Sequence, residues 1–531
     1  MNLDWRLKKK GVVALSALLL AIGAWYFQGK AAGSGAALPD QVRRFAEVLN
    51  AVRRHYVEEV EPARLVDAAI RGMLRELDPH TSYLPASLAA DSEERQNGYY
   101  EGTGIEFTVL NQIPVVVAAQ AGSPADRAGI RPGDRILRID GESLLGLDAS
   151  EVQARLRGTR GSTVSLVLRR AGVAEPIRVQ LQRERIPLVS VVCAFMADKR
   201  TGYVRLGRFW RAAARELDRA LGELRQQGMT QLVLDLRSNP GGYLEQACEV
   251  ADLFIAGGRT IVYTRGRLRA PRDQLCSSDP TPYADVPLVV LVDGGTASAA
   301  EVVAGALQDW DRALLVGERT FGKASVQDEV RLSDGAILQI TVARYYTPSG
   351  RLIQRSPKDY GLDTSNSEGH HEQTQLTRPV FRTMGGRPVY GGGGIVPDVE
   401  LAARPISAFT LRAMNQNLFF EYGAEYAARH QALARSFQAF KERFVVDEQM
   451  LAEFRRLAAR RNILVDESAA KADRELWRQT IKSEIARHLW GNARFYEILV
   501  AQDEQVRAAL ERFDQARHLL LVSGGGARAR D

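Results

Sequence analysis

The sequence predicts a multidomain α/β protein, with an α/β core, a mostly β module ahead of it and helical regions at both ends. Three observations carry that prediction. The chain has 531 residues, of which 45% are apolar and 25% charged, and roughly one domain per 150 residues implies about three or four domains. Leu232–Leu236 and Leu288–Val292 are buried-strand runs, and each leads through a Gly-containing turn into a helical pattern, as layered α/β structures require. Residues 98–185 instead alternate short β-rich runs with turns, while residues 406–520 read as long helices rich in Arg, Glu and Ala.

The composition narrows the function classes. The apolar and charged fractions are ordinary for globular proteins, which argues against wholesale disorder, a collagen-like chain or a multi-span membrane protein. Lys and Arg (71) exceed Asp and Glu (64) by 7, and no basic block concentrates that excess, so nucleic acid is not an expected partner. Cys193, Cys248 and Cys276 form no Cys-x-x-Cys pair, which removes zinc ribbons and thioredoxin-type redox motifs and leaves buried thiols as the reading. His370-His371 has no matching ligands nearby, and no metal site is expected.

Along the chain, Arg6 and Lys8–Lys10 precede an apolar run from Gly11 to Phe27, with Trp25 and Tyr26 at its end. A basic flank before such a run predicts an uncleaved anchor in the inner membrane, and the positive side stays cytoplasmic. The remainder is then periplasmic. A cleaved signal, cut near Ala31-Ala32-Gly33 or Ala36-Ala37, is the alternative. Residues 1–37 form this segment and its linker, and 38–97 a helical N-terminal region in which Phe45, Val48, Leu49 and Val52, then Val66, Ile70, Met73 and Leu74, recur at helical spacing. Asp78-Pro79-His80-Thr81 ends that region, with His80 structuring the helix end. The β module spans 98–185, with strands expected near 105–109, 115–118, 135–139 and 164–168 and a helix at Ala149–Leu156. The core spans 186–405, interrupted by a polar, Gly-rich surface excursion at 356–393. Residues 406–531 form a helical region with a disordered tail. No internal repeat is visible.

Three segments carry residues suited to chemistry. Thr296-Ala297-Ser298-Ala299-Ala300-Glu301 follows a buried strand and Gly294-Gly295, which places Ser298 at a helix N-terminus where N–H groups favour both a nucleophile and the oxyanion it creates. Taken alone, Ser298-x-x-Glu301 reads equally as a capping box. None of the seven histidines lies near Ser298 in sequence, although a folded Ser-His-Asp triad stays open on spacing alone. Lysine is the other available base. Lys323 lies 25 residues downstream of Ser298, and bringing a lysine from about 10.4 to near 7 requires roughly 4–5 kcal/mol of differential stabilisation. Gln327, four residues further on, orients that amine if the segment is helical; alone, Lys323 is also an ordinary surface lysine. The third segment, Asp235-Leu236-Arg237-Ser238-Asn239-Pro240-Gly241-Gly242, offers bare N–H donors after a strand or simply a turn.

Together these segments resemble the carboxyl-terminal processing peptidases, also called tail-specific proteases. The similarity runs through Leu77-Asp78-Pro79-His80-Thr81 with Tyr83-Leu84, Asp235-Leu236-Arg237 with Asn239-Pro240-Gly241-Gly242, and Thr296-Ala297-Ser298-Ala299 with Glu301. It continues through Phe321-Gly322-Lys323 with Val326-Gln327 and Gly394-Ile395-Val396-Pro397-Asp398, in order over about residues 40–403. The resemblance implies a crotonase-like α/β core and a serine endopeptidase that forms an acyl-enzyme without metal or cofactor. It further implies Ser298 as nucleophile, Lys323 as general base, Gln327 as the residue positioning the lysine, and the N–H groups of Gly241 and Ala299 as the oxyanion hole. Two departures are an alanine, Ala324, directly after the lysine, and the excursion separating Ile353-Gln354 from Gly394-Ile395.

Residues 98–185 resemble a PDZ domain, through Gly102-Thr103-Gly104-Ile105, Ser123-Pro124-Ala125, Ala128-Gly129-Ile130, Pro132-Gly133-Asp134 and Ile139-Asp140-Gly141. The resemblance implies that Gly102, Thr103, Gly104 and Ile105 receive a C-terminal carboxylate while the peptide adds as a strand, against a helix carrying Val152 and Leu156. Val152 and Leu156 equally suit the module's own core. Proteins with disordered apolar C-termini are the expected substrates, and the helical ends are candidate contacts for a homo-oligomer or an adaptor protein. Gating of the protease by the PDZ domain is a further expectation. A catalytically inactive PDZ scaffold on a protease fold is the rival reading, and the joint presence of Ser298, Lys323 and Gln327 favours the enzyme.

Overall fold

The computed structural model describes residues 38–531 apart from 87–88, 90–93, 95–97, 268–274, 279–280, 356–377, 465–470 and 529–531. The expected membrane anchor at 11–27 and most of the polar excursion therefore lie outside the described residues. No helix among the described residues is long and apolar enough to cross a membrane.

The chain divides into two compact units, the first ending at Leu77. Its described part is a pair of helices, α1 (Leu38–His55) and α2 (Pro62–Arg75), with Pro62 at the first helical turn, where a missing N–H costs no hydrogen bond. Val42, Phe45 and Val48 of α1 are exposed.

The second unit begins with β1 (Ser82–Leu84) and the β module. The module comprises β2 (Tyr99–Gly102), β3 (Ile105–Leu110), β4 (Ile113–Ala119), α3 (Pro124–Arg127), β5 (Arg135–Ile139), β6 (Glu142–Ser143), α4 (Ala149–Leu156), β7 (Thr163–Arg169), β8 (Ile177–Gln182) and β9 (Glu184–Pro187). Its sheet runs β3-β4-β5-β7-β8, with β6 on β5, and a separate β2–β9 pair joins the two ends of the module. Alternate residues of β7, Val164, Leu166 and Leu168, are buried with Val116, Ile136 and Leu144, the period-2 pattern of a half-buried strand. A reciprocal capping box between Asp148 and Glu151 starts α4.

The core follows, with β10 (Val191–Met196), β11 (Thr201–Leu206), α5 (Ala213–Gln226), β12 (Gln231–Asp235), α6 (Leu244–Asp252), β13 (Thr260–Gly266), β14 (Leu275–Cys276), β15 (Leu288–Val292), α7 (Ala299–Asp309) and β16 (Leu314–Gly317). It continues with β17 (Ser325–Arg331), β18 (Ile337–Tyr346), β19 (Val380–Arg382), β20 (Pro388–Tyr390) and β21 (Val399–Glu400). The main sheet has the order β10-β11-β12-β15-β16-β21, parallel from β11 onward. Leu232, Leu234, Leu288 and Val290 point to one face, where α5, α6 and α7 pack; Val233, Val289 and Leu291 point to the other. That second face is covered by C-terminal helices through Val500, Val506, Phe513 and Ala516. A second sheet, β1-β18-β13-β14 with β17 on β18, carries the chain segments around Lys323. Within the excursion, the described residues form the β19–β20 hairpin.

The C-terminal helices are α8 (Ala408–Asn415), α9 (Leu418–Arg429), α10 (Phe437–Arg443), α11 (Glu448–Arg460), α12 (Arg474–Trp490), α13 (Asn492–Val500), α14 (Glu504–Leu510) and α15 (Phe513–Arg528). The first five build their own aromatic core around Phe419, Phe454 and Trp477. They also meet the β module, where Phe420 packs on Leu110 and Val115. The tail expected to be disordered continues α15 as far as Arg528. Phe513, Ala516 and Leu519 seat the start of that helix on the sheet, and extending a nucleated helix costs far less than starting one.

Candidate active site

Ser298 stands at the sharp turn between β15 and α7, the two most deeply buried elements of the core. Its backbone has φ 56° and ψ −118°, a conformation a non-glycine residue holds only when its surroundings impose it. The surroundings do so from three sides. The Ser298 N–H donates to Glu301 Oε2 at 2.9 Å, its carbonyl accepts the Tyr345 hydroxyl at 3.0 Å, and Ala297 N–H donates to Asn239 O at 2.9 Å. Asp293 Oδ1 takes the Ser238 N–H at 2.7 Å, which ties the loop after β12 to the turn before Ser298.

That loop is anchored by Asp235, fully buried at the end of β12, which accepts from Tyr203 Oη at 2.6 Å and Arg237 Nη2 at 2.7 Å. Burial opposes its ionisation, but Arg237 and Arg205 outweigh that and hold the carboxyl below its usual value. Gly241 (φ 96°) lies so close to the turn that a Cβ there would sit 2.9 Å from both Ala299 N and Ser298 Cβ, so only glycine fits. Its N–H donates to Asn239 Oδ1 at 2.9 Å. The Ala299 N–H belongs to the first helical turn, where helix geometry supplies no acceptor.

Lys323 comes from the loop entering β17 and is pinned by the same carboxylate. Glu301 accepts Lys323 N–H at 2.9 Å, Gly322 N–H at 2.8 Å and Thr320 Oγ1 at 2.5 Å. Burial lifts the Glu301 carboxyl to about 7 despite these donors. Burial also pushes the Lys323 ammonium below its ordinary value, against the opposing pull of the Asp78 and Glu301 carboxylates. Lys323 Nζ donates to Gln327 Oε1 at 3.0 Å. The segment is not helical, so the helical i to i+4 spacing does not bring the two side chains together. Gln327 lies in β17, where the register with β18 shifts between Val326 and Gln327, a bulge of the kind that re-aims a side chain. The segment Gly394–Ile395 buttresses the loop, since Ile395 N–H donates to Thr320 Oγ1 at 2.7 Å.

Sequence reasoning gave His80 only the role of structuring a helix end, and its carbonyl accepts from Gln327 Nε2; it gave no role to Tyr345, whose hydroxyl reaches the carbonyls of both Ser298 and Lys323. The Asp78–Thr81 motif was the available signal for the first. Nothing marked Tyr345, 47 residues from Ser298 in the far sheet. His430, His488 and His518 lie in C-terminal helices or at their ends, and His370-His371 lies outside the described residues. Among the described residues no cluster of His, Cys, Asp and Glu could hold a metal ion.

The β module presents a groove of about 570 Å³ between β3 and α4, lined by Ile105 and Phe107 on the strand and Ala149, Gln153 and Leu156 on the helix. β3 is the edge strand of its sheet, so a peptide strand has an open partner. Gly104 (φ 81°) forms the loop before it, where a Cβ would fall 2.2 Å from Ser123 Cβ. Thr103 is buried and lines the groove, while Gly102 ends β2, paired with Glu184. Of the two roles open to Val152, groove lining or core, the structure places it fully buried in the module's core. On a helix of about 100° per residue Val152 lies about 40° from Leu156 and about 100° from Gln153, so Leu156 stands between the core and the groove and belongs to both.

The chain is 38% identical over 318 residues to the carboxy-terminal-processing protease of Bartonella bacilliformis, spanning 59% of this chain and 73% of that one. It belongs to the carboxy-terminal-processing protease family. The Bacillus subtilis carboxy-terminal processing protease CtpA is 34% identical over 346 residues, 65% of this chain and 73% of its own. Family models described as Peptidase family S41 and PDZ domain match residues 200–362 and 115–170. Two more, the activating protease CtpB N-terminal domain and a family of unknown function (DUF8443), match 26–87 and 409–491. Among solved structures, a photosystem II D1 C-terminal processing protease aligns at 31% identity over 67% of this chain and 92% of its own, with a TM-score of 0.36. As a member of this family, the chain is a C-terminal processing serine protease with a PDZ domain.

Proposed function

We propose that peptide hydrolysis here runs through a Ser298–Lys323 pair. The neutral Lys323 amine takes the Ser298 hydroxyl proton as Oγ attacks the scissile carbonyl, and the resulting ammonium returns a proton to the leaving amine. Water then hydrolyses the acyl-enzyme, with Lys323 again acting as base. Gln327 holds the amine in place. Ala299 N–H and Gly241 N–H receive the oxyanion, and for Gly241 this requires the bond to Asn239 Oδ1 to be exchanged for one to substrate. The observation that carries this reading is a lysine kept below its ordinary pKa by burial, in a loop fastened to the Ser298 turn through Glu301.

In the same reading the substrate's free, apolar C-terminus adds beside β3, with its carboxylate at the Gly102–Ile105 loop, and the segment upstream of it reaches Ser298. Docking there aligns the protease site, so the PDZ domain gates turnover as well as recruiting substrate. The basic residues 6–10 and the apolar run 11–27 support an inner-membrane anchor with the protease in the periplasm.

The test is cleavage of a protein with a disordered apolar tail, read by mass spectrometry, by the wild type and by Ser298→Ala and Lys323→Ala. Cleavage by the wild type alone is expected. Cleavage persisting in both variants overturns the assignment.

A further inference from the structure

The amide of Gln327 is engaged at both ends. Oε1 accepts from Lys323 Nζ at 3.0 Å, and Nε2 donates to the backbone carbonyl of His80, 247 residues away in the chain. A primary amide has one accepting and one donating end, so this carbonyl decides which end faces the lysine. With the amide reversed, an N–H would meet the amine and an oxygen would meet the carbonyl.

The carbonyl is itself held by a built turn. Asp78 Oδ1 accepts the N–H groups of His80 at 2.7 Å and Thr81 at 2.8 Å, and its Oδ2 accepts the Thr81 hydroxyl at 2.8 Å. Thr81 Oγ1 in turn accepts Thr341 N–H at 3.2 Å. Thr341 is the β18 residue directly paired with Gln327. The next residues, Ser82–Leu84, pair with Gln339–Ile337 of β18. Turn, strand and glutamine thus form one closed frame around the lysine. The charges agree with this proximity, since the Asp78 carboxylate acts on Lys323 and the Lys323 ammonium on His80.

We propose that the Asp78–Thr81 turn is a positioning element of the protease, in which the His80 carbonyl fixes the Gln327 amide with its oxygen toward Lys323, and Asp78 and Thr81 hold that carbonyl in place. This rests on the Ser298–Lys323 reading and extends it. None of these side chains touches the reacting atoms; the turn acts through Gln327.

The experiment measures kcat and KM on β-casein for the full chain in detergent, with thermal unfolding followed in parallel. Asp78→Ala and Thr81→Val are expected to lower kcat roughly 10- to 100-fold, the scale of a misplaced catalytic group, while KM stays within about two-fold. Asp78→Asn retains the oxygen that accepts both N–H groups and recovers most of the rate. In a Gln327→Ala background, Asp78→Ala adds no further loss, because both changes release the same amide. If Gln327→Ala alone is below detection, the kcat loss and its recovery by Asp78→Asn decide. If Asp78→Ala does not fold, Thr81→Val decides. Unchanged kcat in a folded variant, or losses that multiply in the double variant, overturn the proposal. Lys323→Ala in the same assay separates the two readings: wild-type turnover there removes the lysine base itself, whereas an inert Lys323→Ala with multiplying losses removes only the positioning role.

Discussion

Ser298 and Lys323 donate their backbone N–H groups to one and the same oxygen, Glu301 Oε2, each at 2.9 Å. A single buried carboxylate therefore sets the spacing of two loops that come from different α/β units. The other oxygen binds Gly322 N–H and Thr320 Oγ1, so all four partners of Glu301 are donors. The ionised carboxylate accepts all four at once, and because burial lifts its pKa to about 7, the protonated form, which could give its proton only to the Thr320 hydroxyl, lies close by.

Glu301→Gln replaces one accepting oxygen with an N–H₂ group that faces donors. The expected result is a fall in kcat of roughly 10²-fold, as the two loops part, and a stability loss of about 1–3 kcal/mol for the unsatisfied groups. Steady-state kinetics and chemical denaturation check both.

Under the proposed Ser298–Lys323 mechanism the base must be neutral to act, so kcat/KM is expected to rise with pH through the Lys323 pKa. Because burial lowers that pKa, the rise occurs below the pH at which an ordinary lysine titrates. The Asp78 carboxylate raises the Lys323 pKa, so Asp78→Asn moves the limb to lower pH. Lys323→Arg keeps the charge but has no accessible neutral form, and it is expected to lose about 10²- to 10⁴-fold at every pH tested.

Two neighbouring residues of α4 are expected to behave differently. Val152 is fully buried in the module's core and Leu156 lines the groove. Val152→Ala costs about 1–3 kcal/mol of module stability with little change in peptide affinity. Leu156→Ala weakens binding of a decapeptide with an apolar C-terminus and free carboxylate, measured by fluorescence anisotropy. Equal effects of both changes on affinity would return Val152 to the groove.

His488 sits where the helical region meets the β module, its Nε2 3.1 Å from Phe420 O and its ring against Gly133. Burial holds it neutral, with a pKa lowered to about 4 from 6.5. The folded value is depressed, so the stabilisation is present above pH 6.5 and is lost as pH falls toward 4, on the order of 3 kcal/mol in all. Calorimetry across that range is expected to show a shallower decline for His488→Gln than for the wild type.

Much was legible before any coordinates. The unbroken apolar runs Leu232–Leu234 and Leu288–Val292 named the core strands because a strand covered on both faces is apolar at every position. Gly241 and Gly104 were reached through the resemblance, and the structure supplies the physical reason that each place demands a missing Cβ. Where local pattern misled, a tertiary partner was responsible. Gln327 lies in a strand, not a helix, because β18 pairs with it. Val152 took the core role, one of the two its place on α4 left open, because the β module's sheet packs against it.

By itself the sequence determined the layered architecture, the mostly β module and the short list of chemically able residues, since these depend on periodicity, turn chemistry and side-chain type, while the PDZ reading of that module came through resemblance. Only the tertiary structure decided that Glu301 ties Ser298 to Lys323, that the His80 carbonyl faces Gln327 across 247 residues, and that the Gly241 N–H is taken by Asn239. Each of those contacts joins one side chain to a backbone group, and because every residue carries backbone groups alike, side-chain identity could not announce the partner. Folding alone selects which carbonyl and which N–H come within reach.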